Sequence, residues 1–210
     1  ALFPKGGMYR VTERLHEKAA ELGVKFFFDR EVSKILTRNK SVTGIQLENG
    51  KTVDADIVIA NADLPYVYDA LLPDSAFNRR LKTKEYSCSA LVFHWGMDKV
   101  YPQLDHHSIF LNEPYKHGMD MIFDHQSVSE NPSFYVHAPV RTDASAAPEG
   151  GDSLSVIVPI GHVSLRHHQN WQELKEQTRH AVIKRLQQAG MTDIEQHIKF
   201  EICYTPKTFM

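Results

Sequence analysis

Residues 32–54 read VSKILTRNKSVTGIQLENGKTVD, a stretch in which short apolar runs alternate with polar turns. The second run ends at Asn49-Gly50, the dipeptide most typical of a tight β-hairpin turn. Each run is long enough for one short strand. The pattern therefore predicts a β-meander with strands at Val32–Thr37, Val42–Leu47 and Lys51–Asp54.

An amphipathic helix is expected before the meander. Apolar residues recur at helical spacing from about Met8 to Leu22, and Gly23 is a suitable residue to end a helix. The next run, Val24–Phe28, is expected to form a strand.

An almost unbroken apolar run follows the meander at residues 57–60, Ile-Val-Ile-Ala. Such a run is typical of a strand buried on both faces of a parallel sheet. It ends at Asn61-Ala62-Asp63, before a short helix expected from Leu64 to Leu72. Ligands of open α/β sheets bind at such strand ends, although Asp63 also suits an ordinary helix N-cap. The order of elements fits a nucleotide-binding α/β domain that lacks its opening βαβ unit.

The sequence changes in character after about residue 75. Asn170–Ala189 predicts a long helix, because Asn170 and Glu173 form an N-x-x-E capping pattern and Gly190 follows its end. Five strand-like segments are separated by loops rich in Pro, Gly and Asp: Ala90–Met97, Ser108–Leu111, Ser133–His137, Leu154–Val158 and Ile198–Tyr204. The predicted class is α/β (α+β), with one domain at residues 1–74 and a mostly antiparallel sheet with flanking helices at residues 75–210.

Composition excludes several classes of function. The chain has 24 Lys and Arg against 26 Asp and Glu, so no basic surface indicates a nucleic-acid partner. Its two cysteines, Cys88 and Cys203, lie too far apart in sequence to suggest a metal pair, and they exclude a disulfide framework. No run approaches the roughly 20 apolar residues of a membrane span.

Common catalytic motifs are also absent. The sequence contains no G-x-G-x-x-G, P-loop, H-E-x-x-H or G-x-S-x-G motif. It has 12 His, but adjacent residues of a strand point to opposite faces, so His106-His107 and His167-His168 are poorly placed to share an ion. We therefore expect no metal. Gly6-Gly7 is either an ordinary turn or a place where backbone N–H groups meet a polar cofactor group.

Several motifs occur in a fixed order along almost the whole chain. The most specific lies within residues 133–150, where F-Y-x-x-x-P is followed by D-x-S-x-A-P-E-G. These runs resemble the bacterial and fungal phytoene desaturases, a branch of the flavin amine-oxidase-like superfamily, and the run at 133–150 narrows the resemblance to carotenoid desaturases. The other matching runs are Phe3–Gly7 (F-P-x-G-G), Arg30–Ile35, Ile59–Asp63, Leu104–Phe110 and Thr205–Phe209.

The resemblance implies FAD as cofactor, bound by a partial Rossmann-like FAD-binding domain at residues 1–74. The implied contacts are Gly6 and Gly7 beside the flavin, Val32 at the adenosine end through its backbone, and Asn61 and Ala62 near the sheet edge. The family's two Gly-rich segments do not occur in these 210 residues. We therefore expect the chain to be the middle of an enzyme more than twice as long, and to be inactive by itself.

The resemblance also implies the reaction, which is removal of hydrogen across C–C bonds of a linear C40 carotenoid by hydride transfer to flavin. A truncated substrate-binding domain at residues 75–210 would hold the polyene. Ordinary core packing is the alternative for each candidate lining residue, and no catalytic base is assigned, because His94 and His137 are equally eligible. The candidate lining residues are Phe93, Trp95, Phe110, Phe134 and Tyr135.

The partners implied are a hydrophobic carotenoid, a membrane surface contacted peripherally inside the cell, and a second copy in a homo-oligomer. Residues 115–123 are the candidate segment for membrane contact. Two alternatives stay open. One is a related flavin-dependent isoprenoid oxidoreductase or isomerase, similar to retinol saturase, and the other is a non-catalytic lipid-binding remnant.

Overall fold

The computed structural model describes residues 3–84, 87–112, 130–161 and 170–209, and the single residues 114, 116, 118, 120 and 122. The chain folds as two compact units, one of residues 16–85 and one of residues 1–15 with 86–210. Helices and antiparallel sheets are mixed along the chain, which confirms the predicted α/β (α+β) class. The functional domains predicted at 1–74 and 75–210 have different bounds from these units and stay predictions.

The predicted meander is confirmed and forms a three-stranded antiparallel sheet in the unit of residues 16–85. Gly44 lies opposite Leu36, at a point where the strand register shifts. Its φ of +151° favours glycine, and an added Cβ would lie 2.2 Å from the Val53 carbonyl oxygen. A larger residue would therefore displace the third strand. In sheet order the strands are β1 (Val32–Arg38), β2 (Ser41–Leu47) and β3 (Thr52–Asp54).

Helical segments cover part of this meander. The predicted helix at 64–72 is present, starting as α2 (Leu64–Tyr66) and continuing as a π-helix over Val67–Leu71, and α3 (Ala76–Leu81) follows. Val67 and Leu71 pack with Ile35 of β1 in a small buried cluster. Contact between one strand and one helical turn thus forms the buried apolar cluster of this unit, and Val42, Val58 and Leu72 pack against it.

Two predicted strands are not formed. Residues 24–28 and 57–60 have no regular secondary structure and pair with no strand in the described part of the chain. Phe27 is 75% exposed and Ile59 is 88% exposed, so the prediction of a strand buried on both faces is wrong for this structure. A strand is buried only when paired neighbours and a covering layer surround it. In the described residues of this unit neither run has a paired strand, and the cover is partial: Val58 packs against the small buried cluster, and the Phe26 ring lies 4.1 Å from the ring of His16.

The predicted N-terminal helix is confirmed as α1 (Tyr9–Glu21). None of its residues is buried, and Leu15, on its apolar stripe, is 67% exposed. The spacing of the apolar residues thus predicted the helix correctly. Among the described residues, no surface buries its apolar stripe.

The other unit is built on a five-stranded antiparallel sheet with the order β5-β6-β7-β4-β8. Strands β4 and β7 pair from Ser89 opposite Ile160 to Met97 opposite Asp152. All five predicted strand segments are confirmed, with small shifts at their ends. The bounds are β4 (Ser89–Met97), β5 (His107–Phe110), β6 (Phe134–His137), β7 (Asp152–Ile160) and β8 (Ile198–Tyr204).

One face of this sheet packs against α4 (Trp171–Gln188), which confirms the predicted long helix. Trp95 of β4 and Leu186 of α4 belong to the same buried apolar cluster. The side-chain oxygen of Asn170 accepts a hydrogen bond from the backbone N–H of Glu173 at 3.3 Å, so the predicted cap is present. Because successive strand residues point to opposite faces, the residues between the core positions line the other side of the sheet.

Arg141 ties two loops to the start of β7. Its guanidinium forms an ion pair with Asp152, whose side chain has no exposed surface. The same guanidinium donates hydrogen bonds to the Leu104 carbonyl at 2.9 Å and to the Tyr101 carbonyl at 2.7 Å. One cation thus satisfies a buried carboxylate and two loop carbonyls.

We predict that Arg141→Gln lowers the free energy of unfolding by about 3–5 kcal/mol, because it leaves the Asp152 carboxylate buried without a charged partner. Arg79→Gln is the matched control. Its ion pair with Asp74 is more than half exposed on both sides, so its loss costs less than about 1 kcal/mol. Chemical denaturation measures both. A loss for Arg141→Gln as small as that of the control would contradict the prediction.

Candidate functional site

A cavity of about 700 Å³ opens on the sheet face opposite α4. Its floor consists of alternate residues from three neighbouring strands, which is the set left over once the core positions face the helix. These floor residues are Val92 and His94 of β4, Tyr135 and His137 of β6, and Ser155 and Ile157 of β7. The remaining lining residues are Phe3, Met8, His106, His107 and Thr142.

Three imidazoles gather on one side of this cavity, and we call them the histidine cluster: His106, His107 and His137. His107 lies directly opposite His137 in the β5–β6 register. Nε2 of His106 lies 3.0 Å from Nε2 of His137, and one nitrogen from each of the three rings lies within 4.8 Å of the others. Nδ1 of His106 is 2.5 Å from the Thr142 hydroxyl, and Nδ1 of His107 is 2.6 Å from the Tyr135 hydroxyl.

The surroundings keep part of the histidine cluster uncharged. Burial lowers the pKa of His137, and the neighbouring His106 and His107 lower it further. Burial is also the main cause that lowers the pKa of His106, followed by His107 and Arg141. Both imidazoles are therefore neutral at pH 7, with a ring nitrogen able to accept a proton or bind a ligand.

The Gly6-Gly7 turn lies against a smaller pocket of about 270 Å³ in the same unit. The Gly6 N–H donates a hydrogen bond of 2.6 Å to the Asp143 carboxylate, which also accepts from the Ser145 hydroxyl at 2.7 Å. The Ser145 hydroxyl and then the Gly6 N–H lower the pKa of Asp143. Two motifs that are 137 residues apart in sequence, F-P-x-G-G and D-x-S, are thus joined by one ionised carboxylate.

The candidate cofactor contacts are divided between the two units. Gly6 and Gly7 line the smaller pocket, and both have positive φ values, +85° and +89°. Val32 is the first residue of β1 in the unit of residues 16–85, and Asn61 and Ala62 are exposed in the same unit. Their roles stay predictions.

The candidate substrate residues are divided by the two faces of the sheet. Phe93, Trp95 and Phe134 lie in the buried cluster beneath α4, and Phe110 packs against that cluster, 4.6 Å from the ring of Phe134. Tyr135 is the one of the five that lines the large cavity. The other four residues are packed in or against the core, which is the alternative given for each of them in the sequence analysis.

The histidine cluster is the part of the site that spacing along the sequence does not reveal. His107 and His137 meet because β5 pairs with β6 in one register, and 29 residues lie between them in the sequence. The usable signal was the position of each residue at a strand end. Neither the partner strand nor the register can be read from one sequence.

The chain belongs to the family of flavin containing amine oxidoreductases, whose model matches residues 1–188. Membership of this family implies a flavin cofactor.

Two curated relatives with the name phytoene desaturase are similar to this chain along most of its length. The chain is 41% identical over 201 residues to a zeta-carotene-forming phytoene desaturase of Myxococcus xanthus, and 36% identical over 221 residues to a phytoene desaturase of Neurospora crassa. These matches cover 95% and 99% of the chain but 38% and 37% of the relatives' own length.

A solved structure supports the fold. An oxidoreductase from Methanosarcina mazei matches 96% of this chain and 43% of its own with a TM-score of 0.67, at 19% identity. In the part of the chain that the structure describes, no helix is both long and apolar enough to cross a bilayer.

We predict that stability falls as the pH drops from about 6.5, the ordinary imidazole pKa, towards the lower pKa of folded His137. The unfolded chain binds the proton more readily in this window, so protonation favours unfolding. His137→Gln should flatten this part of the pH profile, because it removes the group whose pKa burial lowers. Thermal unfolding at closely spaced pH values measures the difference, and parallel profiles for wild type and His137→Gln would contradict it.

Proposed function

We propose that the chain is part of an FAD-dependent carotenoid desaturase that introduces C=C bonds into a linear C40 carotenoid. The observation that carries the proposal is the uncovered face of the five-stranded sheet, where exposed apolar residues of both edge strands flank the cavity. Similarity to phytoene desaturases along 95% of the chain supports the same substrate class.

The open face extends from the cavity onto both edge strands. Ile109 of β5 lies opposite Tyr135, and Ile202 of β8 lies opposite His94, so both share the cavity side of the sheet. Ile109 is 70% exposed and Ile202 is 49% exposed. A hydrocarbon offers no charge to bind, so its affinity comes from apolar contact, at roughly 25 cal/mol per Å². The exposed isoleucines of the edge strands, with Val92 and Ile157 of the cavity floor, offer such contact beside the polar histidine cluster.

The turn at Gly6-Gly7 fits a flat ring system that approaches the backbone closely. A Cβ added at Gly7 would meet no atom within 4 Å, so the space in front of the glycine is open. Asp143 holds the turn in place through the Gly6 N–H. When bound, FAD supplies a two-electron acceptor for the hydrogen removed from the substrate carbon. The chain's own residues position the turn and line the cavity.

We expect Gly7→Val to lower the FAD content of the purified full-length protein at least severalfold, because the side chain fills the space in front of the turn and strains a φ of +89°. Gly50→Val is the matched control. Gly50 has a φ of +82° and open space in front of it, but lies in the hairpin turn of the meander. Flavin absorbance per mole of protein measures both variants. Equal occupancy in the two variants would contradict a flavin contact at Gly7.

The reaction itself is tested with phytoene in lipid vesicles and the full-length protein, with chromatography of the products. We expect desaturated products, and we expect Ile202→Glu to lower kcat/KM about tenfold or more because it places a charge on the apolar face. Ile59→Glu is the control, since Ile59 is equally apolar and 88% exposed in the other unit. Loss of activity in both variants, or in neither, would contradict substrate binding on the sheet face.

We propose further that the full-length protein is an intracellular, peripheral membrane protein, because its substrate dissolves in membranes. The segment predicted to contact the membrane, residues 115–123, lies largely outside the described residues. The homo-oligomer likewise stays a prediction. Flotation of the protein with liposomes tests the membrane association, and recovery of all protein in the lipid-free fraction would exclude it.

The alternatives make different predictions in the same assays. A related isoprenoid oxidoreductase or isomerase would bind flavin and convert another isoprenoid, whereas a lipid-binding remnant would bind phytoene without flavin. The relatives named as phytoene desaturases favour the carotenoid.

A further inference from the structure

We propose that the histidine cluster, His106, His107 and His137, is a binding site for one divalent transition-metal ion, with Zn²⁺ as the representative ion. The site lies at the edge of the large cavity. It depends on neither the flavin nor the carotenoid, so it can fail or succeed separately from the proposed function.

The three rings converge closely enough for one ion. Nε2 of His106 and Nε2 of His137 are 3.0 Å apart, and a nitrogen of the third ring lies within 4.8 Å of them. Tetrahedral zinc has Zn–N bonds of about 2.0–2.1 Å, which separates two ligand nitrogens by roughly 3.3 Å. The first pair already has nearly this separation, and the nitrogen of His107 would move closer to both on binding.

The Nε2 atoms of His106 and His137 face each other at 3.0 Å, a distance at which two lone pairs repel unless a hydrogen or a cation lies between them. Without an ion, one of the Nε2 atoms of His106 and His137 must carry the hydrogen of their 3.0 Å hydrogen bond. A metal ion would take the place of that proton and bind the lone pairs of both nitrogens. Imidazole nitrogen is a ligand that suits zinc, copper and nickel.

Hydroxyl groups orient two of the rings from behind. The Thr142 hydroxyl lies 2.5 Å from Nδ1 of His106, and the Tyr135 hydroxyl lies 2.6 Å from Nδ1 of His107. With the hydroxyl oxygens as acceptors, each Nδ1 keeps its hydrogen, and the lone pair of the same ring is then on Nε2. Metal-binding histidines usually have such a partner on the other ring nitrogen.

The strand end explains how two adjacent histidines reach one point. Strand β5 begins at His107, so His106 lies outside the regular alternation of faces. The Ala138 N–H, just after the end of β6, donates a hydrogen bond of 2.9 Å to the His106 carbonyl. The rings of His106 and His107 are 4.4 Å apart as a result. Three protein ligands would leave a fourth position of a tetrahedral ion for water or another ligand.

The experiment is a calorimetric titration of Zn²⁺ into the purified full-length protein, made without a histidine tag and stripped with a chelator. We expect one Zn²⁺ site that excess Mg²⁺ does not compete for, because Mg²⁺ prefers oxygen ligands. His107→Ala and His137→Ala should each abolish this site. Tyr135→Phe, which keeps all three imidazoles, should weaken it by roughly 10- to 100-fold.

His180→Ala is the matched control, since it removes an exposed histidine of α4 away from the cluster. It should bind Zn²⁺ as the wild type does. Unchanged affinity in His107→Ala, whose exposed side chain can be removed without opening the core, would overturn the proposal. So would a wild-type protein that binds no Zn²⁺. Should His137→Ala fail to fold, His107→Ala and Tyr135→Phe decide the result.

Discussion

The alternation of side chains along antiparallel strands is the constraint on which the larger unit depends. Helix α4 covers one face of the five-stranded sheet and takes every second residue into the core. The residues between them, such as His94 and Tyr135, therefore point to the opposite face of the sheet. The cavity is thus a direct result of covering a sheet on one side. A shift of one residue in any strand would exchange core and cavity.

Electrostatic contacts then fix the loops around this cavity. Arg141 joins the loop before β5 to the start of β7, and the next residue but one, Asp143, joins the D-x-S turn to Gly6. Thr142 lies between them and contacts His106. Three consecutive residues therefore position the N-terminal turn, the histidine cluster and β7. These three residues lie within residues 133–150, the run of F-Y-x-x-x-P and D-x-S that gave the most specific resemblance in the sequence.

Local patterns predicted much of the fold. Asn49-Gly50 and the alternation around it predicted the meander, and the N-x-x-E pattern at Asn170 predicted the start of α4, because turns and caps depend on neighbouring residues. Alternation along a strand also places adjacent residues such as Phe93 and His94 on opposite faces. It did not show which face α4 covers, since that is decided by residues far away in the sequence.

Burial and register were the limits of prediction. The apolar run at 57–60 has the composition of a buried strand, but burial belongs to the surroundings of a segment, and the described residues around it leave it exposed. The histidine cluster was missed for a similar reason. Its members are brought together by the pairing of β5 with β6, and the spacing of His107 and His137 in the sequence contains no trace of that pairing.

The exposed runs at 24–28 and 57–60 have a consequence for how the chain behaves towards other molecules. Apolar segments that belong to no sheet readily pair with strands of other molecules. Left uncovered, residues 24–28 and 57–60 therefore raise the tendency of this chain to associate with other molecules, whereas the well-packed sheet of β4 to β8 does not.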